Sequence, residues 1–583
     1  MIQLAKVVRA SREGCHGLLS VGNSEPTVLD SKDTEASTEA LCGQHANRRF
    51  WRFMIDVGHT FRENEVLLTG TSGFLGKIVL GLLVDRYPDF KHLHILMRGA
   101  KGIEPAERFE REVLASPPLR PVLEQVRHHH PGFQLADKIT VWSGDVGQPS
   151  LGLTPHEVNR LAVRVSLIIN CAGLVDFFPP LDDSLQSNVD GVEHLIALAR
   201  RLGARLLHVS TCFVCGEADG LVEETERIVG FYPHRRGPED RSFSAHEELR
   251  YSRERVAEIY RSAGANGNLA EVSRRRPREL AQRLTALGRQ RAEHWGWVNT
   301  YTYAKSLGEQ VLAATSDVPW TIVRPAIIES SLSFPFPGWI EGGRTAAPLV
   351  LMALGGMKEW PMRRDAALEV VPVDEVAAAI LVAGALLLHG RHEPVYQLAS
   401  AEVNPIHIEQ VARLLHAEAR NLAREGRKRP RPPLIHRLAK GSRGRRLRFL
   451  SSSEARTQHA HLERRIRRMQ SLITGMRALL KTLRLPGHHT LAGWTSSLRA
   501  LGLQSSFRQQ TLEYYLPFVL HNRFVFECEN IRAAYRLIMP DDRQRLPWAP
   551  EKIDWEHYWT QNQVRGIQKW VQPEAVRKWT FHL

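Results

Sequence analysis

The stretch Val66-Leu67-Leu68-Thr69-Gly70-Thr71-Ser72-Gly73-Phe74-Leu75-Gly76-Lys77 decides how the rest of this 583-residue chain is read. A short apolar run ends in three glycines spaced three apart and continues as Ile78-Val79-Leu80-Gly81-Leu82-Leu83-Val84. That order reads as a buried strand, a tight turn and the opening of a helix. Gly70 lets the chain leave the strand, Gly73 lets backbone N–H groups approach a pyrophosphate, and Gly76 lets the helix lie close on the sheet with its N-terminus toward the phosphates. Residues Gly70, Thr71, Ser72, Gly73, Phe74, Leu75 and Gly76 therefore form a candidate dinucleotide cradle. Three glycines alone also fit an ordinary strand-to-helix turn, so the surrounding pattern decides.

Outward from the turn, strands and helices alternate. The sequence predicts strands over 66–68, 94–97, 139–143, 167–170 and 205–209, with helices over 75–85, 155–162 and 188–202 and a long helical insertion from 105. This alternation implies an α/β fold, a doubly wound parallel sheet of Rossmann type. Arg98 follows the second strand, where a cofactor-selecting side chain is expected about 20 residues past the glycines. With Lys101 it suits the extra phosphate of NADP; a solvated surface arginine is the plainer reading. Asp145 ends the third strand, placed either to accept a hydrogen bond from an adenine amino group or to cap the loop.

Asn170-Cys171-Ala172-Gly173 ends the fourth strand in small residues, and Ser210-Thr211 ends the fifth. A basic helical insertion over about 238–293 follows, then Asn299-Thr300-Tyr301-Thr302-Tyr303-Ala304-Lys305. Tyr301 and Lys305, four apart, share one face of a helix. A phenol with a reference pKa of about 10 transfers protons poorly at neutrality, and a nearby ammonium lowers that value. Lys305 is also placed to hold a nicotinamide ribose, and Thr211 to donate a second hydrogen bond to the same substrate oxygen. Tyr-x-x-x-Lys is common by chance; the glycine turn upstream and the strand-end hydroxyl make Thr211, Tyr301 and Lys305 the candidate catalytic residues.

Composition bounds the partners. The apolar content of 43% is that of a soluble globular protein, and no apolar run approaches the roughly 20 residues that span a bilayer. The longest, 377–388, reads as a buried helix. The N-terminus shows no secretory h-region, and the six cysteines (Cys15, Cys42, Cys171, Cys212, Cys215, Cys528) are scattered, which predicts a cytoplasmic protein. The net charge of +15 implies attraction to polyanions. Residues 420–448 hold twelve Lys/Arg against one acidic residue, Glu425; this run suits coenzyme phosphates, an anionic membrane surface or a solvated linker, and nucleic acid is not expected. Cys212-Phe213-Val214-Cys215 sits at a strand end rather than a helix start and reads as core packing. The run His128-His129-His130 reads as a loop without companion ligands, so no metal site is expected.

On these residues the chain resembles the extended short-chain dehydrogenase/reductase superfamily, and within it the fatty acyl-CoA reductases. The broader resemblance rests on 69–76, on His208-Val209-Ser210-Thr211 and on the Tyr301 to Lys305 motif. The narrower one rests on the extension of that motif to Ser306-Leu307-Gly308-Glu309, on Val323-Arg324-Pro325-Ala326-Ile327-Ile328-Glu329 followed by Phe336-Pro337-Gly338-Trp339-Ile340, and on Val371-Pro372-Val373-Asp374. The tail, with Phe524-Val525-Phe526-Glu527 and Ile553-Asp554-Trp555-Glu556-His557-Tyr558, is more loosely similar to the C-terminal domain of these reductases. Two departures stand out: Cys215 occupies a position where many relatives have tyrosine, and 420–484 is unusually basic.

The resemblance implies reduction of a long-chain acyl-CoA thioester by NADPH to the aldehyde and on to the primary alcohol. Thr211, Tyr301 and Lys305 take the catalytic positions, and Gly70, Gly73, Gly76 and Arg98 the cofactor positions. Another extended reductase, acting on a carrier-protein thioester, a sugar nucleotide or a steroid, would use the same residues. The alternative of another class is a non-catalytic protein that senses NADP or, with its basic run 420–448, binds nucleic acid; sensors of this fold commonly lack the Tyr/Lys pair. Residues 332–340 would either border the acyl chain or belong to the core. The expected organisation is a poorly ordered extension (1–60), an NADP-binding reductase domain with substrate-binding elements (61–405), a basic helical or linker region (406–485) and a mainly helical C-terminal domain (486–583). Peripheral contact with an anionic membrane is a further expectation.

Overall fold

The computed structural model describes residues 54–100, 102–237, 239–264, 277–343, 345–424, 447–483, 488–516 and 523–571. Helix α1 (Val57–Glu63) leads into β1 (Glu65–Thr69), the glycine turn and α2 (Phe74–Arg86). There follow β2 (His92–Met97), β3 (Ile139–Ser143), α3 (Pro155–Ala162), β4 (Val165–Asn170), α4 (Gly191–Leu202) and β5 (Arg205–Val209). After an insertion carrying helices Ala245–Ser262 and Arg278–Trp295 come α5 (Thr300–Ala313), β6 (Trp320–Pro325), α6 (Val373–Leu388) and β7 (Val395–Leu398).

These seven strands form one parallel sheet in the order β7-β6-β5-β4-β1-β2-β3. The order reverses beside β1, so the crevice at the carboxyl ends of β1 and β4 is a topological switch point. Thr69 pairs with Asn170 and Asn170 with His208 across that crevice. Every residue of β1 is buried, as a strand covered by helices on both faces must be. Helix α6 carries the long apolar run, and Val373 to Leu387 are all buried, which is why a run of Ala, Val, Ile and Leu interrupted only by Gly384 is compatible with a helix here.

The stretch 1–60 needs a correction at its end. Asp56 caps α1 by accepting from His59 N at 2.7 Å, Val57 and Phe61 are buried, and Ile55 bridges to Ile538. Apolar side chains at 55, 57 and 61 draw this turn into the core, so the compact body begins at Ile55. A second correction concerns His128 and His129, which close helix Leu119–His129 rather than lying in a loop.

The tail is tied to the same body. Strand Arg523–Phe526 pairs in parallel with Asp219–Val222, and Phe524 and Phe526 set their rings 5.3 and 5.5 Å from Phe213. Glu369 Oε1 accepts from Phe526 N at 3.0 Å. Helix α7 (Ile408–Arg424), then α8 (Ser452–Thr482) and α9 (His488–Leu516), the last two forming a hairpin, supply most of the helix beyond the sheet. Most of the basic run 420–448 lies outside the described residues. Among the described residues no helix is long and apolar enough to cross a membrane.

Candidate active site

The glycine turn is fixed by close approach. Gly70 has φ +76°, and a Cβ there would lie 2.5 Å from the Cys171 carbonyl carbon. A Cβ on Gly76 would lie 2.3 Å from Gly70 O. Helix and strand ends therefore meet backbone to backbone, which only glycine permits. Gly73 is the N-cap of α2 and offers no side chain, so the first N–H groups of that helix have no side-chain acceptor. By contrast, Asp56, Thr154, Ser244, Asn299 and Ser451 cap their helices with side-chain oxygens. Within the turn the Thr71 hydroxyl is buried with no partner among the described residues. An uncapped helix start, exposed at Gly73, fits an anionic cofactor group.

Arg98 follows β2 with its side chain 68% exposed and Nη1 3.5 Å from Asp145 Oδ2. Asp145 Oδ1 accepts from Gly147 N at 3.0 Å, so this carboxylate caps its own loop while facing Arg98. Lys101 lies outside the described residues.

At the strand ends, side chains from β1, β4 and β5 join. Thr69 Oγ1 donates to Asn170 Oδ1 at 2.6 Å, and Asn170 Nδ2 lies 3.0 Å from His208 Nδ1. Burial, with Lys305 nearby, holds His208 well below the usual imidazole range and hence neutral. Nδ1 then accepts from Asn170, and the buried Nε2 has no partner among the described residues.

Helix α5 begins at a side-chain cap, with Asn299 Oδ1 accepting from Thr302 N at 2.9 Å. Tyr301, Lys305 and Glu309 follow at successive turns. Lys305 Nζ donates to Val209 O at 2.8 Å, and a Cβ on Gly173 would lie 3.4 Å from the same nitrogen. The ammonium thus sits between the ends of β4 and β5. Burial pulls Lys305 down to about 8, and Glu309 opposes that shift. Tyr301 is half-buried, its ring 6.4 Å from Phe177, and its hydroxyl bonds no protein group among the described residues. Neighbouring Tyr303 is fully buried and donates to Glu248 at 2.6 Å, so of the two tyrosines in the motif it is the structural one.

The expectation that Lys305 lowers the Tyr301 phenol is corrected. Burial first and the Glu309 carboxylate second push the phenol up. The ammonium is directed at the Val209 carbonyl instead. A phenol raised in this way keeps its proton at neutral pH.

Thr211 stands at the end of β5, but its hydroxyl is engaged: it donates to Pro325 O and accepts from Phe213 N, both at 3.3 Å. It caps the short turn Cys212–Cys215, so Cys212 starts and Cys215 ends a one-turn helix, contrary to the sequence reading of a strand end alone. Both are buried in the main core and burial pushes their thiols up, against any thiolate role. The adjacent Ser210 hydroxyl is buried without a partner among the described residues.

Several residues here were not singled out from sequence. Glu309 forms a buried bidentate pair with Arg324, Nε lying 3.0 Å from Oε1 and Nη2 2.5 Å from Oε2. Arg324 O accepts from Cys212 Sγ, so this pair ties α5 to the strand that holds the Thr211 turn. Lys77 Nζ, buried on α2 just past Gly76, meets both Glu341 oxygens at 2.6 and 2.8 Å. Asn188 bonds both backbone groups of Leu174, shaping the loop after β4. Lys77 and Glu309 each sit beside a motif glycine, the one available signal. In 332–340, Phe334, Trp339 and Ile340 are buried and Asp374 accepts from the N–H groups of Leu332, Ser333 and Phe334, so this stretch is mainly core. Among the described residues no group of three or more His, Cys, Asp or Glu gathers at metal-binding distance.

A family model described as male sterility protein, of NAD-binding type, matches residues 68–380, more than half of the chain. The chain belongs to the male sterility protein family. Its curated relatives include probable fatty acyl-CoA reductase 4 of Arabidopsis thaliana, 26% identical over 530 residues, covering 87% of this chain and 97% of that protein. The alcohol-forming fatty acyl-CoA reductase of Simmondsia chinensis is 28% identical over 364 residues, 61% of this chain and 71% of that protein. The chloroplastic fatty acyl-CoA reductase 2 of Arabidopsis thaliana is 30% identical over 361 residues, 60% of this chain and 56% of that protein. The matched span holds the glycine turn, the strand ends, Tyr301, Lys305 and the Glu309–Arg324 pair.

Proposed function

We propose that this protein reduces long-chain fatty acyl-CoA thioesters with NADPH, giving the aldehyde and then the primary alcohol. The observation that carries the reading is the Lys305 ammonium held at the ends of β4 and β5, one helical turn from a tyrosine hydroxyl that has no protein partner among the described residues. The names of the relatives support the acyl-CoA substrate.

In this reading the free N–H groups after Gly73 hold the cofactor pyrophosphate, Arg98 faces the 2′-phosphate and Lys305 holds the nicotinamide ribose. The bound nicotinamide supplies hydride. Tyr301, with its phenol still protonated, donates a hydrogen bond to the substrate carbonyl oxygen and then its proton. The hemithioacetal so formed breaks its C–S bond and releases the coenzyme A thiol to give the aldehyde; a second hydride and proton, from a second NADPH and the same phenol, give the alcohol. Thr211 gives up its contact with Pro325 O and donates to the same oxygen. Each such donor is worth about 3 kcal/mol in the transition state.

A Tyr301→Phe variant is expected to lose turnover by about 10²–10⁴-fold while binding NADPH as before, because only the proton donor is removed. Purified protein given NADPH and a mixture of acyl-CoA lengths should yield long-chain alcohols by mass spectrometry. Preference for a sugar nucleotide would overturn the substrate assignment. Because Lys305 titrates at about 8, turnover should fall as pH rises through that value. Lys305→Met should remove this alkaline limb.

A further inference from the structure

Hairpin α8–α9 carries a surface that the reaction does not use. Its inner seam is small: Ile466 and Ile473 of α8 meet Leu491, Leu498 and Leu501 of α9. A second apolar set lies outside that seam. Leu472, Met476, Leu479 and Leu483 are 69%, 51%, 57% and 55% exposed. Their spacing of four, three and four places them on one helical face. Trp494 and Leu503 of α9 are also exposed, so half of the twelve exposed large apolar side chains in the described structure lie on this hairpin. Soluble monomers seldom gather such side chains in one stripe without a use for them.

Charge accompanies the stripe. Helix α8 has seven Lys/Arg against two glutamates, Glu454 and Glu463. Glu454 is engaged in the capping box with Ser451, and Glu463 with His459 and Arg467. Arg465, Arg468, Arg477 and Lys481 are exposed and have no carboxylate partner among the described residues. Arg465 and Arg468 precede Leu472 by seven and four residues, continuing its face toward the helix start.

We propose that this stripe docks the protein onto an anionic lipid surface, the four apolar side chains entering the headgroup region and the cations meeting lipid phosphates and carboxylates. A stripe whose apolar members are each more than half exposed, continued on its own face by exposed cations without carboxylate partners among the described residues, suits an anionic bilayer surface. A second copy packed parallel on the stripe would set Arg465 and Arg468 against their own counterparts, and like charges oppose that pairing. The proposal stands apart from the catalytic reading, since no residue in it belongs to the site.

The test is flotation of the full chain with phosphatidylcholine vesicles made with and without phosphatidylserine, at low and physiological salt. The wild type should recover at least about tenfold better with the anionic vesicles, and less well as salt rises. Leu472→Ser with Leu479→Ser, and separately Arg465→Gln with Arg468→Gln, should each cut recovery about fivefold or more. NADPH-dependent thermal protection, unchanged in both variants, shows that the body is folded; should the leucine pair unfold the chain, the exposed arginine pair carries the test. Equal recovery with neutral vesicles, or variants that float like the wild type, would overturn the proposal. So would a concentration-dependent wild-type dimer that the variants abolish, or wild-type capture of an acidic carrier protein instead of vesicles. Turnover of short-chain acyl-CoA free in solution should not change in either variant, which separates failure here from failure of the catalytic reading.

Discussion

Two helix starts flank the site, and they are built in opposite ways. Helix α5 opens at Asn299, whose side chain accepts from Thr302 N, and helix α2 opens at Gly73, which has no side chain to offer. The first carries Tyr301 and Lys305, and their use depends on being held at one distance from the strand ends. The second begins at the exposed Gly73 beside the switch point of the sheet, its first N–H groups without a side-chain acceptor. A capped start completes its hydrogen bonding within the protein; an uncapped one leaves donors and the positive end of the helix dipole for a ligand. The same contrast extends to charge. Glu309 and Arg324 neutralise each other in the core beneath α5, while Arg98 beside α2 is two-thirds exposed with one long contact to Asp145.

The largest effect should come from breaking the finished side. Glu309→Gln leaves the Arg324 guanidinium buried and unpaired, and removing one member of a buried ion pair costs about 3–5 kcal/mol. Denaturant unfolding of the NADPH-free protein measures it; a loss under about 1 kcal/mol would mean that Arg324 escapes to water. Next comes Gly73→Asp on the open side. Gly73 has φ −88° and ψ 167°, a conformation open to any residue, and its added Cβ would lie 3.3 Å from Gly70 O, a tight but single contact. The new carboxylate caps α2 and repels the pyrophosphate. NADPH affinity should drop about 100-fold or more with the fold retained, as read by calorimetry.

How much of this contrast the sequence carried follows from the range of each interaction. The strands 139–143 and 205–209 and helix 155–162 were legible to the residue, because period and turn signals are local. The glycines, Tyr301 and Lys305 were legible because their spacing is local too. The direction of the Tyr301 shift was not. It depends on how deeply α5 is buried and on where the Lys305 ammonium points, and both are set by β5, nearly 100 residues earlier. Engagement of Thr211 by Pro325 spans 114 residues, and attachment of Ile55 to Ile538 joins the two ends of the described body. The Glu309–Arg324 pair is only 15 residues apart, yet it runs from a helix to a strand, so no single periodicity shows it.

The two smaller effects sharpen the comparison. Arg98→Ala should lower the preference for NADPH over NADH by about tenfold, near 1.4 kcal/mol, a modest figure because the side chain is largely in water and screened. The ratio of kcat/KM with the two cofactors measures it, and an unchanged ratio would leave Arg98 as a surface residue.

Asn299→Ala is the smallest and the most discriminating. Loss of a side-chain cap costs about 1 kcal/mol of stability, visible as a fall of about 1 °C in Tm for a chain of this size. The amides freed at Thr302 lie on α5, away from the α2 start, so NADPH affinity should stay within twofold of the wild type. A variant that loses NADPH affinity as steeply as Gly73→Asp would show that the Asn299 cap serves the cofactor as well as the helix, and the distinction between a closed and an open helix start would no longer hold.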